Sequence, residues 1–166
     1  MIKKMSQFLD MDDVLYQLER ARYVLLPVSY DGTSTFVKGA DKGPQAILDA
    51  SDSLELYDVQ YAMEACNAGI HTDHYGYDFS SPDTMVASVC RRVRHFLEQK
   101  KFPILLGGEH SVSVGAIRAL SEQFENLTVL QIDAHADLRD EYHDSIYNHA
   151  CVMRRAQDYA RVVQVG

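Results

Sequence analysis

Three side chains able to hold a divalent metal alternate over five residues in Asp133-Ala134-His135-Ala136-Asp137, directly after the apolar run Leu127-Thr128-Val129-Leu130-Gln131-Ile132. A fourth candidate, His110, closes the stretch Gly107-Gly108-Glu109-His110, which also follows an apolar run. Alternate residues of an extended segment project to one side, so Asp133, His135 and Asp137 are spaced to share a site. One carboxylate of such a set can bridge two ions while its neighbours cap each one. Oxygen-rich ligation with a few imidazoles suits Mn²⁺ or another hard to borderline divalent ion. A cysteine-built zinc site is disfavoured, because no Cys lies near the cluster before Cys151. Two ions about 3.5–4 Å apart can deprotonate a shared water, and the hydroxide can attack an electron-poor carbon. A lone Asp-x-His is usually a cap or a surface pair. Two such motifs, each behind an apolar run, point to a metalloenzyme instead.

The elements needed to position these groups follow from periodicity. Residues 6–22 carry apolar residues at helical spacing and read as an N-terminal helix. Residues 23–28 read as a strand, and 29–43 as a loop. Gly43-Pro44 opens a helix that runs to about Leu54, with proline at the first helical position. Residues 56–82 are the least readable part, with a short strand at 69–71. A helix over 83–99 has one apolar stripe of Met85, Val86, Val89, Val93, Phe96 and Leu97. A strand at 102–106, a helix at 110–124, a buried strand at 127–132, a helix around 151–159 and a buried strand at 161–165 complete the pattern. Strands alternating with helices imply right-handed crossovers and a mostly parallel sheet. Ligands of such sheets gather beyond the carboxyl ends of the strands. His110 and the 133–137 cluster both fall there and converge if their strands are neighbours.

The bulk properties bound the rest. The 166 residues suit one domain, and 46% hydrophobic with 24% charged residues is ordinary for a soluble globular chain. A formal net charge of −8 opposes a nucleic-acid surface and weakly favours a cationic substrate. Cys66, Cys90 and Cys151 have no framework spacing and read as free thiols of a reducing compartment. No apolar run approaches the roughly 20 residues of a membrane span, and no signal-peptide pattern is visible. The expectation is a cytoplasmic protein that binds neither membrane nor nucleic acid. The chain stops at the end of an apparent strand, and a truncated chain is expected.

These residues resemble the ureohydrolase family of arginases, agmatinases and relatives. Gly107-Gly108-Glu109-His110-Ser111 is similar to its first metal motif and Asp133-Ala134-His135-Ala136-Asp137 to its second. Pro27-Val28-Ser29-Tyr30-Asp31-Gly32-Thr33-Ser34, with Gly39 and Gly43-Pro44-Gln45-Ala46-Ile47, resembles its N-terminal loop and helix. The resemblance implies an α/β fold, a three-layer α/β/α sandwich, over 1–166 as a single domain with its C-terminal part missing. It implies a two-manganese centre in which His110 binds one ion, His135 the other, Asp133 both, and Asp137 the same ion as His110. It implies hydrolysis of a guanidinium carbon to urea and an amine by a metal-bridging hydroxide. His149 resembles the family's proton shuttle, able to protonate the leaving amine. A homo-oligomer, trimer or hexamer, is implied too. The family's third metal segment, Ser-x-Asp-x-Asp-x-x-Asp-Pro, and its guanidinium-holding glutamate are not found, so no turnover is expected of this chain in isolation.

Substrate clues are weaker. Arginases hold the amino-acid end of arginine with a Ser-x-Asn-x-His-Gly loop. Here the loop reads Ser145-Ile146-Tyr147-Asn148-His149-Ala150, with Tyr147 and Ala150 in place of the asparagine and the glycine. The stretch His149-Ala150-Cys151-Val152-Met153-Arg154-Arg155 is more similar to bacterial and archaeal agmatinases. Agmatine is the expected substrate, with Asp140, Glu141 and Asp144 as a possible acidic field for its ammonium. Guanidinobutyrate, formiminoglutamate and arginine are rivals. A mononuclear zinc deacetylase and a non-catalytic paralogue acting as an assembly partner are the alternatives outside the class. His71, His74, Asp73 and Asp78 read as a surface turn, and Arg91-Arg92 and Arg154-Arg155 as ordinary helix charges, or as subunit contacts in an oligomer.

Overall fold

The computed structural model describes residues 6–166. Its centre is strand β1 (Tyr23–Val28), a β-branched and apolar run buried on both faces. Helix α1 (Gly43–Ser51) carries proline in its first turn and stops three residues before the expected Leu54. There Ser51 turns its Oγ onto the Leu48 carbonyl and accepts the Leu9 amide. Strands β2 (Tyr57–Asp58) and β3 (Met63–Glu64) form a two-residue antiparallel ribbon. Both are exposed and too short for alternation to be visible in the sequence. Strand β4 (Ile70–Thr72) follows.

Helix α2 (Pro82–Glu98) starts with a capping box between Ser81 and Thr84, and buries the expected apolar stripe. Burial of side chains such as Met85, Val89 and Phe96 contributes about 1.5–3 kcal/mol each. Strand β5 (Phe102–Gly107), helix α3 (Val112–Ser121), strand β6 (Thr128–Ile132), helix α4 (Val152–Ala156) and strand β7 (Arg161–Val165) complete the order. α2 and α3 cross closely at Gly115, where a Cβ would lie 2.7 Å from the Val86 carbonyl oxygen.

The strand pairs β1–β4, β1–β5 and β6–β7 are all parallel. In β1, Val24, Leu26 and Val28 pack with α2 and its neighbours, while α1 contacts β1 and β5. Buried Leu25 lies on the opposite face by alternation. Helices therefore cover both faces of the β4–β1–β5 sheet, the expected three-layer arrangement. No helix of the described residues is long and apolar enough to cross a membrane.

Three further expectations are corrected. The helix over 6–22 is a single 3₁₀ turn at Asp13–Tyr16. The backbone amides of Phe8, Leu9 and Met11 donate to the side chains of Thr72, Ser51 and Tyr16. Those tertiary bonds take the place of a helical ladder, and Leu9 sits at φ 65°. Its apolar residues pack as a separate cluster with Cys66. Second, β6 and β7 are not buried strands. They form a two-stranded sheet of their own, and among the described residues no ladder joins β6 to β5. An open pocket of about 350 Å³ is lined by Leu105 of β5 and by Val129 to Ile132 of β6. Leu130, Ile132, Val163 and Val165 are exposed, so one face of this sheet carries no helical layer among the described residues. The helix expected at 151–159 is likewise shorter, because a 3₁₀ turn at His149–Cys151 precedes it.

Candidate metal centre

β5 and β6 point their carboxyl ends at one cleft of about 840 Å³. After β5 the chain turns at Gly107-Gly108. A Cβ on Gly108 would lie 2.5 Å from the Tyr30 carbonyl oxygen and 2.6 Å from that of Val28. The Glu109 amide donates to the same Tyr30 carbonyl at 2.9 Å. The end of β1 thus grips the turn, glycine alone leaves room for it, and His110 is delivered to the cleft.

After β6 the backbone is held from beneath. Buried Gln131 donates to the His135 carbonyl at 3.1 Å. Its register partner on β7, Gln164, donates to Gln131 Oε1 and, at 2.7 Å, to the Ala136 carbonyl. Asp137 has φ 50°, a left-handed conformation that costs a non-glycine residue about 1–2 kcal/mol. Its carbonyl accepts the amides of Met153 and Arg154 at 3.0 and 3.1 Å, and the first turn of α4 fixes it there.

The side chains then meet. His110 Nδ1 lies 2.6 Å from Asp137 Oδ2 and 3.5 Å from Asp133 Oδ2. The other oxygen of Asp133 faces His135, accepting its backbone amide at 2.8 Å with the ring Nδ1 at 3.3 Å. The Asp133 carboxylate thus has an imidazole on each oxygen. The His135 amide, helped by nearby His110, holds the Asp133 carboxyl below the usual carboxylate range. His110, Asp133 and Asp137 offer ligand atoms all within 4.8 Å of one another. His135 is not brought into that group: its side chain is 82% exposed and its ring reaches Asp133 only. Two half-buried carboxylates and an imidazole at the floor of a cleft are a donor set that fits a hard to borderline divalent ion.

His149 lines the same cleft. Its amide donates to Thr33 Oγ1 at 3.0 Å, and its Nδ1 lies 2.9 Å from the Thr33 carbonyl oxygen. Thr33 belongs to the loop 31–40 that forms one wall. Asp31 closes that loop, accepting Ser34 Oγ and the amides of Gly39 and Ala40. Those bonds, Ser34's above all, pull the Asp31 carboxyl down to about 2.

A family model described as the arginase family matches residues 21–166. The chain belongs to the arginase family. Among its relatives, the N(1)-aminopropylagmatine ureohydrolase of Synechocystis sp. is 40% identical over 157 residues, covering 90% of this chain and 51% of the relative. The agmatinase of Pyrococcus horikoshii is 33% identical over 152 residues, covering 90% and 52%. The crystal structure of the agmatine ureohydrolase of Thermoplasma volcanium superposes with a TM-score of 0.77 at 35% identity, over 86% of this chain and 47% of that one. The chain spans about half the length of the curated relatives it matches.

For an arginase-family chain, several residues turn out otherwise than the sequence suggested. Asp140 supplies no free acidic field: it is paired with Arg155 and Arg154, which are therefore not idle helix charges. Neither Glu141 nor Asp144 lines the metal cleft, whereas Arg139 does, with its guanidinium 4.5 Å from the Tyr142 ring centre. Arg92 is no ordinary helix charge either. It makes a two-pronged pair with buried Asp73 at 2.6 and 2.7 Å. His71 contacts the Tyr16 carbonyl and His74 the Gln7 side chain, away from the centre. All three cysteines are free and buried. Glu109, Thr33 and Gln131 were not singled out in the sequence. Glu109 stood inside the motif, but an acid beside a ligand looks like any other acid until its partners are seen. Gln131 was legible as the one amide in an apolar strand.

Proposed function

We propose that this chain supplies the metal and proton-shuttle half of an amidinohydrolase acting on agmatine or its aminopropyl derivative. The carrying observation is the Asp133 carboxylate with His110 on one oxygen and His135 on the other. That arrangement supports Asp133 as the bridge between two sites, His110 and Asp137 as ligands of one, and His135 as a ligand of the other. Manganese is the ion the family resemblance favours, and the donor set suits it. When two such ions are bound, they supply a water acidified enough to be nucleophilic at neutral pH. His149, on the same cleft, holds a proton for the departing amine. Exposed Phe36 and Val37 on the cleft wall give an apolar flank to a methylene chain. The resemblance further supports a cytoplasmic homo-oligomer.

Agmatine is the reading that the loop 145–150 favours. The aminopropyl derivative is favoured by the Synechocystis relative, which is more similar to this chain than the Pyrococcus agmatinase, and by the open cleft. Neither makes use of Asp140, which is already paired. The test is a chimera of this chain with the part of the Synechocystis relative beyond the matched region. With Mn²⁺ it is expected to release urea, and His149→Ala to lower the rate about 10²–10⁴-fold. The chain alone, with three clustered ligand residues, is expected to release none. A chimera that binds manganese yet hydrolyses neither compound would overturn the proposal.

A further inference from the structure

His149, the shuttle of the function proposed above, has a nitrogen whose protonation is dictated by its neighbour. A peptide carbonyl accepts hydrogen bonds and never donates them. The Thr33 carbonyl lies 2.9 Å from His149 Nδ1, so a hydrogen bond there requires the hydrogen on Nδ1. In the neutral ring Nε2 is then the bare nitrogen, the one free to take and give a proton. Of the two tautomers, only this one has its free nitrogen pointing away from Thr33.

The hydroxyl of the same threonine is bonded both as acceptor and as donor. It accepts the His149 amide at 3.0 Å and donates to Glu109 Oε1 at 2.8 Å. Glu109 is 6% exposed, and it also accepts the Ser111 hydroxyl at 2.7 Å and the Ser111 amide at 2.9 Å. Its own amide donates to Tyr30. One threonine therefore ties the histidine to the turn that bears His110, joining segments 116 and 76 residues apart. Asp31, two residues before it, closes the loop that presents it.

We propose that Thr33 is the positioning residue of His149, with its hydroxyl and carbonyl together fixing the ring's place and its Nδ1–H tautomer, and Glu109 as the anchor of that hydroxyl. Thr33 touches neither substrate nor metal in this role. Its effect passes through the histidine, as metal-ligating and catalytic imidazoles are commonly oriented by a bond to the other nitrogen.

The inference rests on the shuttle role of His149 for its meaning, but its test does not. The metal-free 166-residue chain, labelled with ¹⁵N at histidine, is measured by long-range ¹H–¹⁵N correlation at a pH where the ring is neutral. Wild-type His149 is expected to show the Nδ1–H pattern. Thr33→Val keeps the shape and removes the hydroxyl, and is expected to lose that pattern in favour of a tautomer mixture. Thr33→Ser keeps the hydroxyl and is expected to restore it. An Nε2–H pattern in the wild type overturns the proposal whether or not the variants fold. So does a Thr33→Val spectrum identical to wild type at His149. If the tautomer behaves as stated while the chimera shows no ureohydrolysis, the functional reading fails and the positioning stands.

Discussion

Gly108→Ala tests how the end of β1 places His110. The new Cβ would meet the Tyr30 carbonyl oxygen at 2.5 Å and the Val28 carbonyl oxygen at 2.6 Å, both inside the 3.0 Å below which something must move. Neither oxygen is a flexible side chain. Val28 is in register with Gly107 in the β1–β5 ladder, and the Tyr30 carbonyl already accepts the Glu109 amide. Relief therefore means opening the end of the ladder or moving the 107–110 turn. Overpacking costs about 1–3 kcal/mol, and a side chain at positive φ adds about 1–2 kcal/mol, giving a loss of about 2–5 kcal/mol. With a urea dependence near 2 kcal/mol per M, the unfolding midpoint should fall by about 1–2.5 M. The assay is urea unfolding followed by circular dichroism, with Gly76→Ala as control, since a Cβ there meets nothing within 4 Å. Midpoints of Gly108→Ala and Gly76→Ala that both match wild type would refute the reasoning.

Three further outcomes follow from named contacts. Asp73→Asn should lower stability by about 3 kcal/mol, the low end for breaking a buried pair, because the Arg92 side chain stays 22% exposed. Removing charge from both partners with Asp73→Leu and Arg92→Met should recover most of that in the same unfolding assay. Asp31 has a depressed pKa, about 2 against an ordinary value near 4, so its stabilising contribution is complete above pH 4 and is lost as pH falls towards 2. The difference in melting temperature between wild type and Asp31→Asn should accordingly shrink over that interval; a difference that stays constant contradicts the assignment. Gln164→Ala removes the bonds to Gln131 and Ala136. It should weaken Mn²⁺ binding about ten-fold, as supporting residues of metal sites do, with little change in circular dichroism.

The parts of the fold that were legible were those where one local signal decided the matter. The apolar stripe of α2, the Pro44 start of α1 and the apolar core of β1 are local, and they came out where expected; the Ser81–Thr84 capping box, which starts α2 at Pro82 and not at 83, was not read. The N-terminal segment failed because its apolar spacing was helical while its amides found tertiary partners in Thr72, Ser51 and Tyr16. The burial of β6 and β7 failed because an apolar run reports that a face is to be covered, not what covers it. At the site, the alternation of Asp133, His135 and Asp137 was readable. The left-handed turn at Asp137 was not: it depends on amides of α4 that lie 16 and 17 residues away in sequence. Asp137, in that turn, meets His110, while His135 stays outside. Asp140 misled because its partners, Arg154 and Arg155, approach from another element. Thr33 lies in a recognisable loop pattern, but its reach to His149 and Glu109 is a property of the folded chain alone.

The central claim is that Asp133, set between His110 and His135, is the pivot of a metal centre. Titration of the chain with Mn²⁺, followed by the electron paramagnetic resonance of free ion, tests it directly. Wild type should bind saturably, and Asp133→Asn should weaken binding by more than about ten-fold. Asp140→Asn, outside the cluster, should leave it unchanged. Equal manganese affinity in wild type and Asp133→Asn would contradict the account.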